Sequence, residues 1–374
     1  MGLQMGVKSG KSAEKEKSTA FRGGILRRRP IRLGYIRLVD CAPLVVAEEF
    51  GIFRDFDLDV QLSREVGWAS VRDKIVYGEL DASQALGPMV FAMSLGLGSL
   101  QCECVSGLVL NLHGNAITLS NELAERGVTD AKTLRGEVFR ARGEKTYTFA
   151  VVYPYSSHNY LLRQWLQSGG INPDEEVDVV VLPPSQMVRN LAAGTIDGYC
   201  VGEPWNSLAV HEGVGWTVQT GCKLAPGHPE KVLMVRRDFA DYRAEVHLQL
   251  IAALMEACRF CQDPKNRKDI VEMLSQKTYL NCSARLIESS FSGRYQFSKN
   301  EVSDIKDFNV FSQKDSNKPT RQQALWILDG MEEAGQLEGY RLTSSKLATR
   351  IFRPDIYQAA CDLAARIIGV PEMP

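Results

Sequence analysis

The 374-residue chain is poor in the features that carry a protein into or across a membrane. A membrane helix needs about 20 apolar residues in a row. The long uncharged stretch 84–102 is broken by Gly87, Pro88, Gly96 and Gly98, too often for such a helix. The first 30 residues hold no apolar run of the kind an export signal requires. Arg27-Arg28-Arg29-Pro30 runs straight into the strand-like IRLGYIR, so a twin-arginine signal is not expected either. On this reading the protein is cytoplasmic; a start codon placed further upstream would make it periplasmic.

Chemical motifs are also scarce. No G-x-x-x-x-G-K-[ST] loop for nucleotide phosphates, no G-x-G-x-x-G after a strand, no H-E-x-x-H and no G-x-S-x-G elbow occur. With only five His the chain has few candidates for acid–base work. Net charge is −1, which excludes a global pull toward nucleic acid or membrane. The nine Cys are odd in number and scattered, a pattern of reduced thiols. Cys258-x-x-Cys261 lies inside the helical pattern LIAALMEACRFC, where buried thiols are expected, and no metal site is assigned. No cofactor and no catalytic residue are called.

What is present reads as alternating strand and helix. Residues 1–30 carry eight basic and two acidic side chains among Ser and Gly, too few apolar groups for a core. They are expected to form a disordered, solubilising basic tail. Strands are predicted at 31–37, 58–64, 147–153, 177–184 (a buried one), 196–205 and 231–238. Helices begin at Pro43 and Trp68 and run over NYLLRQWLQ, over 186–193, and over 243–263, 267–276 and 319–334. Residues 299–317 read as polar and irregular. Alternation implies helices on mainly parallel sheets. It occurs twice, and the strand near 231 returns to the first unit. The expected architecture is α/β, a two-lobed clamp, with 31–118 plus 228–374 as lobe 1 and 119–227 as lobe 2. A cleft between the lobes is the default ligand site.

Seven strings occur in this order: DCAPLVVAEEFGIF (40–53), REVGWASVRDKIVYGELDASQALGPM (64–89), NLHGNAITLS (111–120), SSHNYLLRQWL (156–166), LPPSQMV (182–188), DGYCVGEPWN (197–206) and GHPEKVLMVR (227–236). Together they resemble the nitrate- and bicarbonate-binding proteins of ABC transporters (the NrtA/CmpA-like group), and the cytoplasmic nitrate/nitrite sensor NasS. The resemblance covers roughly residues 31–300 and implies a periplasmic-binding-protein fold of type II. It implies a nitrate site made of Trp68, Asn115, His158, Gly202 and Lys231, with Asn115 where the family has Gln. Lys231, at a position where the bicarbonate branch has a carboxylate and uses calcium, favours nitrate or nitrite. Lys231 is expected to supply the fixed cation, and His158 to sit just before a helix whose N–H groups favour an anion. Glu203, Pro204 and Trp205 are read as architecture.

The resemblance implies a cytoplasmic sensor that binds nitrate or nitrite and controls an RNA-binding, NasT-like antiterminator, with no direct nucleic-acid contact. The alternative is the solute receptor of a nitrate ABC transporter. The pyrimidine synthases of thiamine biosynthesis share the fold, but their Cys-rich motif is missing from Gly198-Tyr199-Cys200-Val201, and no enzyme is expected.

Overall fold

The computed structural model describes residues 29–340 and 344–368. All but the last two residues of the expected basic tail lie outside the described residues. Two sheets organise the rest. The first has seven strands, ordered Asn309–Val310, Val109–His113, Pro229–Arg236, Ala82–Leu86, Ile31–Ile36 and Val60–Glu65, with Cys104–Val105 also paired to Pro229–Arg236. The second has five, ordered Gly215–Thr220, Asn115–Ser120, Gly198–Gly202, Thr148–Val151 and Asp178–Val181. Among the described residues no helix is long and apolar enough to cross a membrane.

Glycine and proline set most of the boundaries. Helix Ala42–Glu49 carries Pro43 in its first turn, where the missing N–H costs nothing. It buries Ala42 through Ala47 against helix Ala244–Gln262, which is covered in turn by Pro354–Ile368. Gly67 precedes helix Trp68–Val76. Ser156 caps helix Ser157–Ser168 by accepting from the Asn159 N–H at 3.1 Å.

Several expectations are corrected. The sheets are mixed rather than mainly parallel, because Pro229–Arg236 runs antiparallel to all three of its partners and Asn115–Ser120 antiparallel to both of its own. Asp178–Val181 is an edge strand with exposed ends, not a buried one; its Val-rich run covers a half-open face. The polar segment after 293 is ordered into the hairpin strands Arg294–Ser298 and Glu301–Asp304, followed by the strand Asn309–Val310. The chain passes from the first sheet to the second at Gly114, four residues before the expected boundary, since Asn115 already pairs with Gly202. It returns within residues 221–228. The 228–374 segment is not confined to lobe 1 either. Tyr295 packs on Phe308 and donates its hydroxyl to Glu203 Oε1 at 2.7 Å, which ties the hairpin to the second lobe.

Candidate functional site

Both crossings between the lobes pass one buried polar cluster. At the first, Gly114 takes φ 89°, a conformation that favours glycine, and donates its N–H to Phe308 O at 2.7 Å. At the second, His113 Nε2 accepts from the Gly227 N–H at 2.7 Å while its Nδ1–H donates to Asp307 O at 2.9 Å. The His113 ring is thus a neutral tautomer with both nitrogens used. Burial, with His228 beside it, pushes its pKa down to about 4.

The cluster centres on Glu230 and Lys231, both with no exposed surface. On a regular strand, consecutive side chains point to opposite faces. Register shifts on either side of Lys231 break that alternation. Lys231 Nζ lies 2.7 Å from Glu230 Oε1 and 2.7 Å from Asp40 Oδ2. Burial alone would lower the Lys231 pKa, yet Asp40 and Glu230 hold it above its ordinary value. The ammonium stands 5.6 Å from the Trp68 ring centre, a cation–π distance. Asp40 is fixed by the Gln84 amide, which donates to Oδ1 at 2.6 Å, and Gln84 is fixed by the Ile36 N–H at 3.1 Å. Burial raises the Asp40 carboxyl pKa against the pull of Lys231.

Glu230 gathers donors from the second lobe. Ser157 Oγ donates to Oε2 at 2.5 Å, and the Asn115 amide donates to the same oxygen. His158 Nε2 lies 3.4 Å from Oε1 and His228 Nε2 3.5 Å from Oε2. Burial would raise the Glu230 carboxyl pKa, but His158, Lys231 and His228 hold it well below the usual range. His158 sits inside the first turn of helix Ser157–Ser168, not just before it. Burial pushes its imidazole down to about 4.

All five predicted residues are therefore brought to one place. Trp68 and Lys231 come from the first lobe, and Asn115 and His158 from the second. At Gly202 an added Cβ would lie 3.4 Å from Asp40 Oδ2. Lys231, expected to supply the fixed cation, is already paired with two carboxylates. Asp40, Gln84, Ser157, His228 and Glu230 join the cluster without being among the five residues expected at the site. All five lay inside the quoted strings, and Ser157 adjoined His158. Nothing local to Asp40 or Gln84 pointed toward Lys231.

Several buried polar atoms here have no hydrogen-bond partner. They are Trp68 Nε1, both His158 ring nitrogens, His228 Nε2 and Asn115 Oδ1. Unpaired buried polar atoms cost about 1–3 kcal/mol each, and a cluster of them marks a place built for something else. Toward solvent, Ile36, Arg37, Arg64, Glu65 and Val66 from the first lobe face Pro184, Ser185 and Trp205 from the second across a cavity of about 230 Å³. Among the described residues, no group of three or more His, Cys, Asp or Glu is arranged to hold a metal ion.

The model of the NMT1-like family matches residues 26–275. The nitrate import ATP-binding protein NrtC of Synechocystis sp. is 39% identical over 357 residues, covering 95% of this chain and 52% of that protein. The bicarbonate transport ATP-binding protein CmpC of Synechococcus elongatus is 36% identical over 359 residues, again 95% of this chain and 52% of that protein. The chain spans about half the length of these curated relatives. Among solved structures, the periplasmic nitrate-binding protein NrtA from Synechocystis superposes with a TM-score of 0.85 at 27% identity, over 91% of this chain and 89% of that one. The fold is the two-lobed α/β periplasmic-binding-protein fold of type II, as expected from the sequence.

Proposed function

The chain belongs to the NMT1-like family, and on that premise we propose that it is the solute-receiving module of an ABC-type importer, closing on a small planar oxyanion between its lobes. The family makes it a solute-binding protein and not an enzyme. The anion is nitrate, nitrite or bicarbonate, and its contacts are Trp68, Asn115, His158, Gly202 and Lys231. The observation that carries the reading is the convergence of unpartnered Trp68 Nε1 and His158 from opposite lobes on one dry cluster. Such donors are what a planar anion with acceptor oxygens requires. The names of the relatives, nitrate and bicarbonate transport proteins, support the same class. The two ATP-binding relatives are matched over half their length, and this chain has no phosphate-binding loop, so the shared half is read as the solute-receiving one.

The finer reading from the sequence, a cytoplasmic sensor that releases an RNA-binding antiterminator, draws no support from these names, which are those of transport components. Calorimetry with nitrate, nitrite, bicarbonate and a short sulfonate tests the ligand class. Binding of one of the first three without the sulfonate is expected. Binding of the sulfonate alone overturns the assignment. Affinity capture then separates the roles: permease and ATPase subunits are expected, and capture of an RNA-binding regulator released by the anion restores the sensor.

A further inference from the structure

Glu230 is the residue that the anion-binding reading does not explain. It stands where the donors meet: Lys231 Nζ, Ser157 Oγ and the Asn115 amide all point at its two oxygens. A planar carboxylate of the protein's own thus takes up the groups assigned to a planar anion. Asp40 adds a second carboxylate on the other side of Lys231. One ammonium stands between two carboxyl groups, so the ionised Asp40–Lys231–Glu230 trio sums to one net negative charge. A monoanion entering beside it brings a second into a site with no exposed surface, where like charges repel with little screening.

We infer that the anion enters this cluster together with a proton, and that Glu230 is the residue which imposes the coupling. The inference rests on the anion-binding reading above. The proton goes to His158. Its Nε2 faces Glu230 Oε1 at 3.4 Å, and neither ring nitrogen has a hydrogen-bond partner. As imidazolium, Nε2–H faces the carboxylate and Nδ1–H is left for the anion, so each new charge meets its opposite. Burial pushes the ring pKa down to about 4, so at neutral pH the imidazole is unprotonated and can take up that proton.

Two imidazoles face Glu230 through an unpartnered Nε2, His158 at 3.4 Å and His228 at 3.5 Å, and the proton is assigned to His158 because its Nδ1 is unpartnered too and remains for the anion. From the return strand His158 meets Glu230 and Lys231; from the second crossing, His228, with His113 behind it at 4.9 Å between ring centres. His228 Nδ1 is engaged with Ala225 O at 2.7 Å, and both His113 nitrogens are bonded. The turn Val39–Cys41 contributes Asp40, whose oxygens already face Gln84 and Lys231. Strand Gly198–Gly202 brings the Cys200 thiol, which burial holds protonated. Ser157 is the polar neighbour on the helix itself.

Titration of the whole chain with sodium nitrate by calorimetry, at one pH in phosphate and in Tris, counts the protons taken up from the difference in heat. About one proton per nitrate is expected, with affinity weakening roughly tenfold per pH unit from pH 6 to 8. Glu230→Gln removes one buried negative charge; its uptake should fall toward zero and its affinity become flat with pH. His158→Gln should likewise lose the uptake. Nitrate binding by the wild-type chain with no proton uptake and a flat pH profile overturns the inference and leaves the anion site standing. Uptake that persists unchanged in Glu230→Gln removes Glu230 from the role. No binding of nitrate, nitrite or bicarbonate at any pH overturns the anion reading itself. The two-buffer comparison needs only the wild-type chain, so the inference stays open to refutation even where a variant does not fold.

Discussion

Replacing Lys231 with methionine keeps the length and most of the volume of the side chain and deletes only its charge. The ammonium lies 2.7 Å from each of two carboxylates, and Lys231 and Glu230 have no exposed surface. Its loss leaves Asp40 and Glu230 facing each other in a dry interior. Breaking a buried ion pair from one side costs about 3–5 kcal/mol, because the remaining charge has lost its partner. At ~2–4 °C per kcal/mol for lobes of this size, the melting midpoint should fall by roughly 6–20 °C at pH 7. The deficit has a definite sign with pH. Glu230 is held well below the usual carboxylate range in the intact protein, so its contribution is present above the unfolded pKa and is lost as pH falls. In Lys231→Met both carboxyls take up protons more readily, which relieves the repulsion in acid. The gap between the two proteins should therefore narrow from pH 7 toward pH 4.5. Adding Asp40→Asn to Lys231→Met should recover about half of it. Thermal melts of the three proteins across that range decide the matter. A Lys231→Met midpoint equal to that of the wild type at pH 7, or a deficit that does not change with pH, refutes the reasoning.

Other outcomes follow from the same structure. His113, His158 and His247 are all pushed to about 4, chiefly by burial, and the unfolded chain binds protons on them near pH 6.5. Stability should hold above pH 6.5 and fall between 6.5 and 4, seen as a declining melting midpoint; a flat profile there would show that the rings are not buried neutral. Gly221→Ala would place a Cβ 1.9 Å from Asn115 Oδ1, so Asn115 must leave Glu230; anion affinity measured by calorimetry should drop at least tenfold while Gly127→Ala, with open space at its Cβ position and φ 84°, should alter stability only. Tyr295→Phe strips one donor from the buried Glu203 carboxylate and should lower stability by about 1–3 kcal/mol in urea melts, with no change if the Ser207 N–H at 3.0 Å suffices alone.

The sequence was legible where punctuation and periodicity act locally. Helix starts at Pro43 and Trp68, and the helix led in by Ser156, are kept by the structure. The strands on either side of Gly114 and the hairpin after 293 were not read from the sequence; the hairpin is polar, and the pairing of both comes from partners distant in sequence, such as Gly202 and Phe308. The edge strand Asp178–Val181 misled in the opposite sense: a Val-rich run has the same composition at a sheet's edge as at its centre. The five predicted site residues came from motif likeness and do meet. What no local pattern reveals is charge pairing across the fold. Lys231 reads as a cation in the string HPEK, and only the folded chain sets Asp40 against it. The adjacent Glu230 would face away on an ideal strand, and the register shift at Lys231 brings it back.

The two crossings also serve as an axle. Gly114 and residues 221–228 are the passages between the sheets, and Asn115, His228, Glu230 and Lys231 lie on or beside them. When one lobe turns against the other about this line, side chains on the axle pivot almost in place, while Arg37 and Arg64, which line the cavity opposite Ser185 and Trp205, shift relative to them. The mouth thus does the travelling and the buried cluster does the twisting. A small change of angle at Asn115 or His158 is geared to a large movement at the rim, and the converse holds as well: whatever grips the rim from outside acts on the charges at the centre with a long lever.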